Sequence, residues 1–175
     1  YQQPTSGLLA EPAPNSRDLF PYAIEACHKR GIEIYLCIPV MDIRYQDKPF
    51  ADANPDMFTK SVKGELSDER IMSPAFAKFR EYKRAVILDL LSKYPFDGIQ
   101  LDFIRFPSWP RNYDDKLSSG CSIYGYDQPL LSKFRKDFNL PEYFCPAAND
   151  ARFIKARADL VTLFIQELRA DLNNN

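Results

Sequence analysis

The chain has 175 residues, 45% of them apolar and 27% charged, with a formal charge of −1. These values fit a globular domain large enough to bury a core, and they exclude extensive disorder. Near-neutral charge removes the electrostatic argument for nucleic acid or an acidic membrane surface, and the sequence has no apolar run of the roughly 20 residues a membrane span requires.

Residues 1–16 are Pro-rich and irregular, with neither the basic start nor the apolar stretch of a signal peptide. There is no initiating Met, so the chain reads as an excerpt or a processed piece. Helix signals begin at Ser16 to Asp18 and continue through the apolar stripe Leu19, Ala23, Ile24 and Cys27, with Gly31 as the stop. The near-continuous apolar run Ile32 to Val40 predicts a strand of a buried parallel sheet, with Asp42 just past its C-terminal end. Residues 45–73 are polar and too long for an idle connection, which points to a functional or partly helical segment. Ser73-Pro74 predicts the N-cap and first position of a helix whose stripe is Phe76, Phe79, Tyr82, Val86, Leu90 and Leu91.

The segment FDGIQLDFIRFP, Phe96 to Pro107, is the most informative in the chain. Asp97-Gly98 makes a turn, and Ile99, Leu101 and Phe103 alternate with Gln100 and Asp102 as in a strand. Asp102 falls near the C-terminal end of that strand, with Arg105 just beyond it. In parallel α/β folds chemistry collects at that end. A second long loop, from Phe106 to about Asp127, carries Trp109, Tyr113, Tyr124 and Tyr126. A short helix over Pro129 to Phe138 and a long one from Asn149-Asp150 to Leu172 close the chain.

Strands alternate with helices, so the fold class is α/β with parallel strands and long βα loops. Two strands cannot make a sheet covered on both faces. The expectation is therefore a portion of a (β/α)8 TIM barrel, residues 1–175 forming one segment truncated at both ends. No internal repeat is visible.

Aromatic residues reach 14%, with 10 Tyr and 13 Phe, beside 14 Pro. Sugar rings stack on loop aromatics of this kind, although an aromatic core accounts equally well for most of them. Cys27, Cys37, Cys121 and Cys145 show no C-x-x-C spacing. Cys27 on a helical apolar face and Cys37 in an apolar strand read as buried thiols. Cys121 and Cys145 lie in loop-like sequence, and spacing leaves open whether they pair. The single histidine, His28, reads as a surface helix C-terminus, so neither a His-based triad nor a His-rich metal site is expected. No cofactor or metal is implied.

Several ordered blocks resemble a known family. They are SGLLAEP, AIEACHKRGIEIYLCIPV, NPDMF, the run from IMSPAFAKF to DGIQLDFIRFP, YGYDQPLLSKFRKDFNL and ARFIKARADLVTLFIQELRADL. Together they are similar to the bacterial glycosyl hydrolase-like TIM-barrel family ten, most specifically in the pattern D-G-I-x-L-D-x-x-R-x-P, and the likeness covers nearly the whole chain. Within NPDMF, Asp56-Met57 stand where the family pattern has a bulkier aromatic segment, and the family's later strands have no counterpart. The resemblance implies a carbohydrate substrate, export or a cell-surface location, and a barrel completed by sequence beyond this chain.

Glycoside hydrolysis needs two carboxylates, about 5 Å apart for retention and roughly 6.5 to 9.5 Å for inversion. Asp102 is the candidate nucleophile or base, and Asp42 the candidate second carboxylate or sugar ligand. Arg105 would orient Asp102 through a charge-assisted hydrogen bond or bind substrate. Trp109, Tyr45, Tyr113 and Tyr126 are candidate stacking platforms, and Asn54 a candidate substrate contact beside Asp56. Three functions follow: hydrolysis or transglycosylation of a poly- or oligosaccharide, a non-catalytic carbohydrate-binding barrel of a cell-surface assembly, and another barrel enzyme using Asp and Arg. A phosphate-binding Gly-rich loop would favour the third, and none is present.

Overall fold

The computed structural model of the protein describes residues 18–43, 47–67, 70–107 and 123–174. In chain order the elements are α1 (Phe20–His28), β1 (Tyr35–Pro39), α2 (Lys48–Ala53), a 3-10 turn over Pro55–Met57, and α3 (Ala77–Lys93). β2 (Gly98–Asp102), α4 (Gln128–Asp137) and α5 (Ala151–Asn174) follow. The strands are parallel neighbours, so the expected α/β class is present as a two-stranded sheet.

The apolar run Ile32 to Val40 yields a strand of only five residues. A strand extends only as far as its partner, and β2 offers Gly98 to Asp102, in register with Tyr35 to Pro39. Ahead of β1 the chain is still leaving α1. Gly31 turns it at φ +67, and the N–H groups of Gly31 and Ile32 donate back to His28 and Cys27 carbonyls. The Ile34 N–H then donates to the Asp97 carboxylate at 2.8 Å, which also bonds His28 Nε2 at 2.9 Å. Asp97 is thus more than a turn residue. It ties together the end of α1 and the starts of both strands, and the Ile34 N–H, with His28 next, holds its carboxyl below the usual carboxylate range.

Among the described residues, helices cover one face of the sheet. Leu36 and Ile38 are buried, and with Ile99 and Leu101 they pack on Phe79, Val86, Ile87 and Leu90 of α3 and Phe164 and Leu168 of α5. Alternation sends Tyr35, Cys37, Gln100 and Asp102 to the opposite face. There Tyr35, Cys37 and Gln100 are exposed. The expectation that Cys37 is a buried thiol is therefore corrected, because only half of a two-layer strand faces its helices. Cys27 is likewise half-exposed, since α1 buries only Ile24 fully.

α3 begins at Ala77 rather than at Ser73-Pro74. Ser73 is held in a local turn, its hydroxyl accepting the Ala75 N–H at 3.2 Å while its own N–H donates to the Met57 carbonyl at 2.8 Å. Phe76, with extended backbone, takes the cap position instead. α4 and α5 enclose a second cluster of Phe106, Leu130, Leu131, Phe134, Phe153 and Leu160. Asn139 at φ +51 ends α4, a conformation asparagine tolerates. Arg80 and Arg84 of α3 pair with Glu167 and Asp171 of α5 along the outer seam.

The polar stretch after β1 is ordered where it is described. It holds α2, the 3-10 turn and antiparallel bridges Asp42–Ile71, Phe58–Met72 and Lys60–Leu66. Its anchor is a fully buried ion pair. Asp47 makes no side-chain cap on α2, and its carboxylate turns inward to the Lys83 ammonium of α3. The Tyr82 hydroxyl donates to its second oxygen at 2.9 Å, and the Tyr82 ring stacks on Phe50 of α2. Removing one member leaves a buried charge alone. Asp47→Ala should therefore cost about 3 to 5 kcal/mol in urea unfolding. The double change Asp47→Leu, Lys83→Met should recover most of that loss, and a double variant no more stable than the single one would contradict the assignment.

Candidate active site

The C-terminal ends of β1 and β2 bring Asp102 and Asp42 to the same end of the sheet. Asp102 is the last register position of β2, opposite Pro39, and it is half-buried on the uncovered face. The strands part just beyond it, after the Val40 N–H donates to the Asp102 carbonyl at 2.8 Å and the Met41 N–H to the Phe103 carbonyl at 3.3 Å.

Phe103 then adopts φ +48, a left-handed conformation that is rare for a large side chain. The strain is on the order of 1 to 3 kcal/mol, and such strain persists only where surroundings over-determine it. Three contacts do so here. The Phe103 N–H donates to Asp102 Oδ1 at 2.8 Å. The ring packs against the main core, and the Arg105 guanidinium lies over it with Cζ 4.6 Å from the centroid. The outcome is a sharp exit from β2 that fixes the Asp102 carboxylate at the strand end.

Arg105 does not make the expected hydrogen bond to Asp102. No ion pair joins it to Asp102 among the described residues; its guanidinium stacks on Phe103 and is otherwise exposed. The reason is geometric, since the left-handed turn at Phe103 redirects the chain between the two residues. Asp42 is buried at 8% exposure within the Asp42–Ile71 bridge, whereas Asp102 opens to the sheet face.

Asn54 is engaged inside the fold. Its amide donates to the Phe50 carbonyl at 2.7 Å and accepts from Lys78 Nζ at 2.6 Å, joining α2 to α3. The Tyr126 hydroxyl donates to the Pro146 carbonyl at 3.0 Å, and its half-buried ring packs on Phe153. Tyr45, Trp109, Tyr113 and Cys121 lie outside the described residues.

Sequence reasoning missed Asp127. It stands at the N-cap position of α4, yet its side chain makes no cap bond to the helix and is 2% exposed. Burial pushes its carboxyl up to about 6, against hydrogen bonds from Ser73, the Lys60 N–H and Thr59. An inward turn of this kind leaves no signal in the local sequence. A groove of about 220 Å³ between α4 and α5, floored by Leu130, Phe134 and Leu160, includes none of the candidate residues. Among the described residues no group of three His, Cys, Asp or Glu could hold a metal ion, and no helix is long and apolar enough to cross a membrane.

No family model matches the chain, and no curated protein matches it significantly. Among solved structures it is similar to alpha-L-fucosidase isoenzyme 2 from Paenibacillus thiaminolyticus, with a TM-score of 0.65 and 16% identity. The match covers 95% of this chain but 22% of the fucosidase chain, so the protein spans about a fifth of that neighbour. At this identity the likeness is one of fold.

The local geometry yields a stability prediction. The amide oxygen that replaces a carboxylate oxygen in Asp102→Asn can still accept the Phe103 N–H, so this variant should change stability by less than about 0.5 kcal/mol. Arg105→Ala should cost about 0.5 to 1 kcal/mol through the lost cation–π contact. Thermal unfolding of both variants checks this, and a large loss from Asp102→Asn would mean that its charge serves the fold.

Proposed function

We propose that the chain is a segment of a glycoside hydrolase-like TIM barrel, and that the whole protein cleaves a poly- or oligosaccharide by carboxylate chemistry. The observation that carries this reading is the position of Asp102. It sits at the C-terminal end of a parallel strand, on the uncovered face, fixed by a strained turn at Phe103. In barrels of this kind that end of the strand carries the chemistry. Asp102 is the proposed nucleophile or the base that activates water, and Asp42 the proposed sugar ligand or second carboxylate.

The fold likeness to an alpha-L-fucosidase supports a carbohydrate substrate, and the sequence blocks that resemble glycosyl hydrolase-like family ten agree with that class. Arg105 serves this reading as the residue that stabilises the Phe103 turn, and so positions Asp102 indirectly. The proposed location is outside the cell or on its surface, where a polysaccharide would be met.

The test is hydrolysis of a polysaccharide and aryl-glycoside panel by the full-length protein and its Asp102→Asn variant. The variant should lose roughly 10²- to 10⁴-fold in kcat/KM, the span that proton transfer by a positioned side chain supplies. Unchanged turnover in the variant removes Asp102 from the chemistry. Glycan binding without cleavage by the parent overturns the enzyme reading in favour of a carbohydrate-binding barrel.

A further inference from the structure

Beyond the ends of β1 and β2 the chain forms a hydrogen-bonded track across the C-terminal edge of the sheet. The Met41 N–H donates to the Phe103 carbonyl at 3.3 Å and the Met72 N–H to the Met41 carbonyl at 2.9 Å. Met72 bridges in turn to Phe58. Adjacent extended segments lie about 4.8 Å apart, so the backbones of Phe103 and Phe58 stand within about 15 Å of each other. Each of these two rings carries an arginine. Cζ of Arg105 lies 4.6 Å from the Phe103 centroid, and Cζ of Arg70 lies 5.2 Å from the Phe58 centroid. Both arginines are exposed.

The other described arginines are used differently. Arg80, Arg84 and Arg152 pair with carboxylates, and Arg30, Arg135 and Arg157 donate to backbone carbonyls. Arg169 lies exposed on α5. Among the described residues, only Arg70 and Arg105 are held by an aromatic ring while no protein oxygen takes their side-chain N–H donors. The stack fixes each guanidinium and leaves its donors to solvent.

We propose that Arg105 and Arg70 bind carboxylates of the saccharide, so that the glycan met at this edge is an acidic one containing uronate units. The inference rests on the carbohydrate reading above and narrows it. A guanidinium offers a planar fork of donors that matches the two oxygens of a carboxylate. Stacking on Phe103 and Phe58 orders that fork before the ligand arrives, which lowers the cost of binding. Charge at the edge points the same way. Asp102 and Asp42 place two carboxyl groups there, and an acidic glycan can approach them only beside compensating cations. Arg105 makes no ion pair with Asp102, so its charge is kept for the ligand. Two platforms on separate segments suit an oligomer with acidic groups on more than one unit.

The test is calorimetric binding by the full-length protein of a panel of uronate oligosaccharides, each beside its counterpart with the carboxyls reduced to alcohols. At least one acidic form should bind about 10- to 100-fold more tightly than its neutral counterpart, the span of hydrogen bonds to a charged group. That preference should shrink as salt is raised. Arg105→Met and Arg70→Met keep an apolar cover on each ring and remove the charge. The ratio of acidic to neutral affinity should fall by about tenfold or more in each. Equal affinity for the acidic and neutral forms overturns the inference, as does a ratio that both Met variants leave unchanged. If neutral glycans are still bound or cleaved in that case, the carbohydrate reading stands without it. Binding of no saccharide at all removes both. Should a Met variant fail to fold, the unaltered protein decides, and a preference for the acidic form that salt does not weaken overturns the inference.

Discussion

Parallel strands present every second side chain to each face, and among the described residues helices cover one face only. Leu36, Ile38, Ile99 and Leu101 enter the core against α3 and α5. Tyr35, Cys37, Gln100 and Asp102 are left on the other side. That side mixes polar and apolar groups, and it ends at a carboxylate. The open face follows from two strands and one helical layer, and it determines what the remainder of the chain must do. Among the described residues, the connections beyond the strand ends are tied to α3 and to one another.

The ties are buried polar groups. Asp47 reaches Lys83 beneath α2, and Asp127 gathers Thr59, Lys60 and Ser73. Neither aspartate caps the helix it precedes, although both stand where a cap is expected. Each exchanges a local bond worth about 1 kcal/mol for a tie between distant segments. At the end of β2 the same economy of short contacts keeps Phe103 in a left-handed turn, with Asp102 below it and Arg105 above. The candidate site is therefore rigid on its β2 side by construction.

Much of this was legible in the sequence. The helical stripes of α3 and α5 were readable because apolar spacing of about 3 to 4 residues is set by the helix itself. The strand of FDGIQLDFIRFP was readable from its alternation. Strand length was less so, because β1 stops where its partner stops and not where its apolar run does. The fate of polar side chains was hardest to read. Asn54, Tyr126 and Asp97 look like surface or site residues in sequence, yet each is bonded to a segment far along the chain or across a loop. Arg105 illustrates the same limit at short range, since one positive φ at Phe103 turns an expected ion pair into a stacking contact.

In the proposed function a carbohydrate meets the protein at the C-terminal edge of the open sheet face. Amide chemical-shift mapping with a panel of oligosaccharides locates that contact directly. Shifts concentrated on Gln100 to Phe106 and on residues 40–43 are the predicted result. Shifts confined to the groove between α4 and α5, or none with any oligosaccharide, would contradict it.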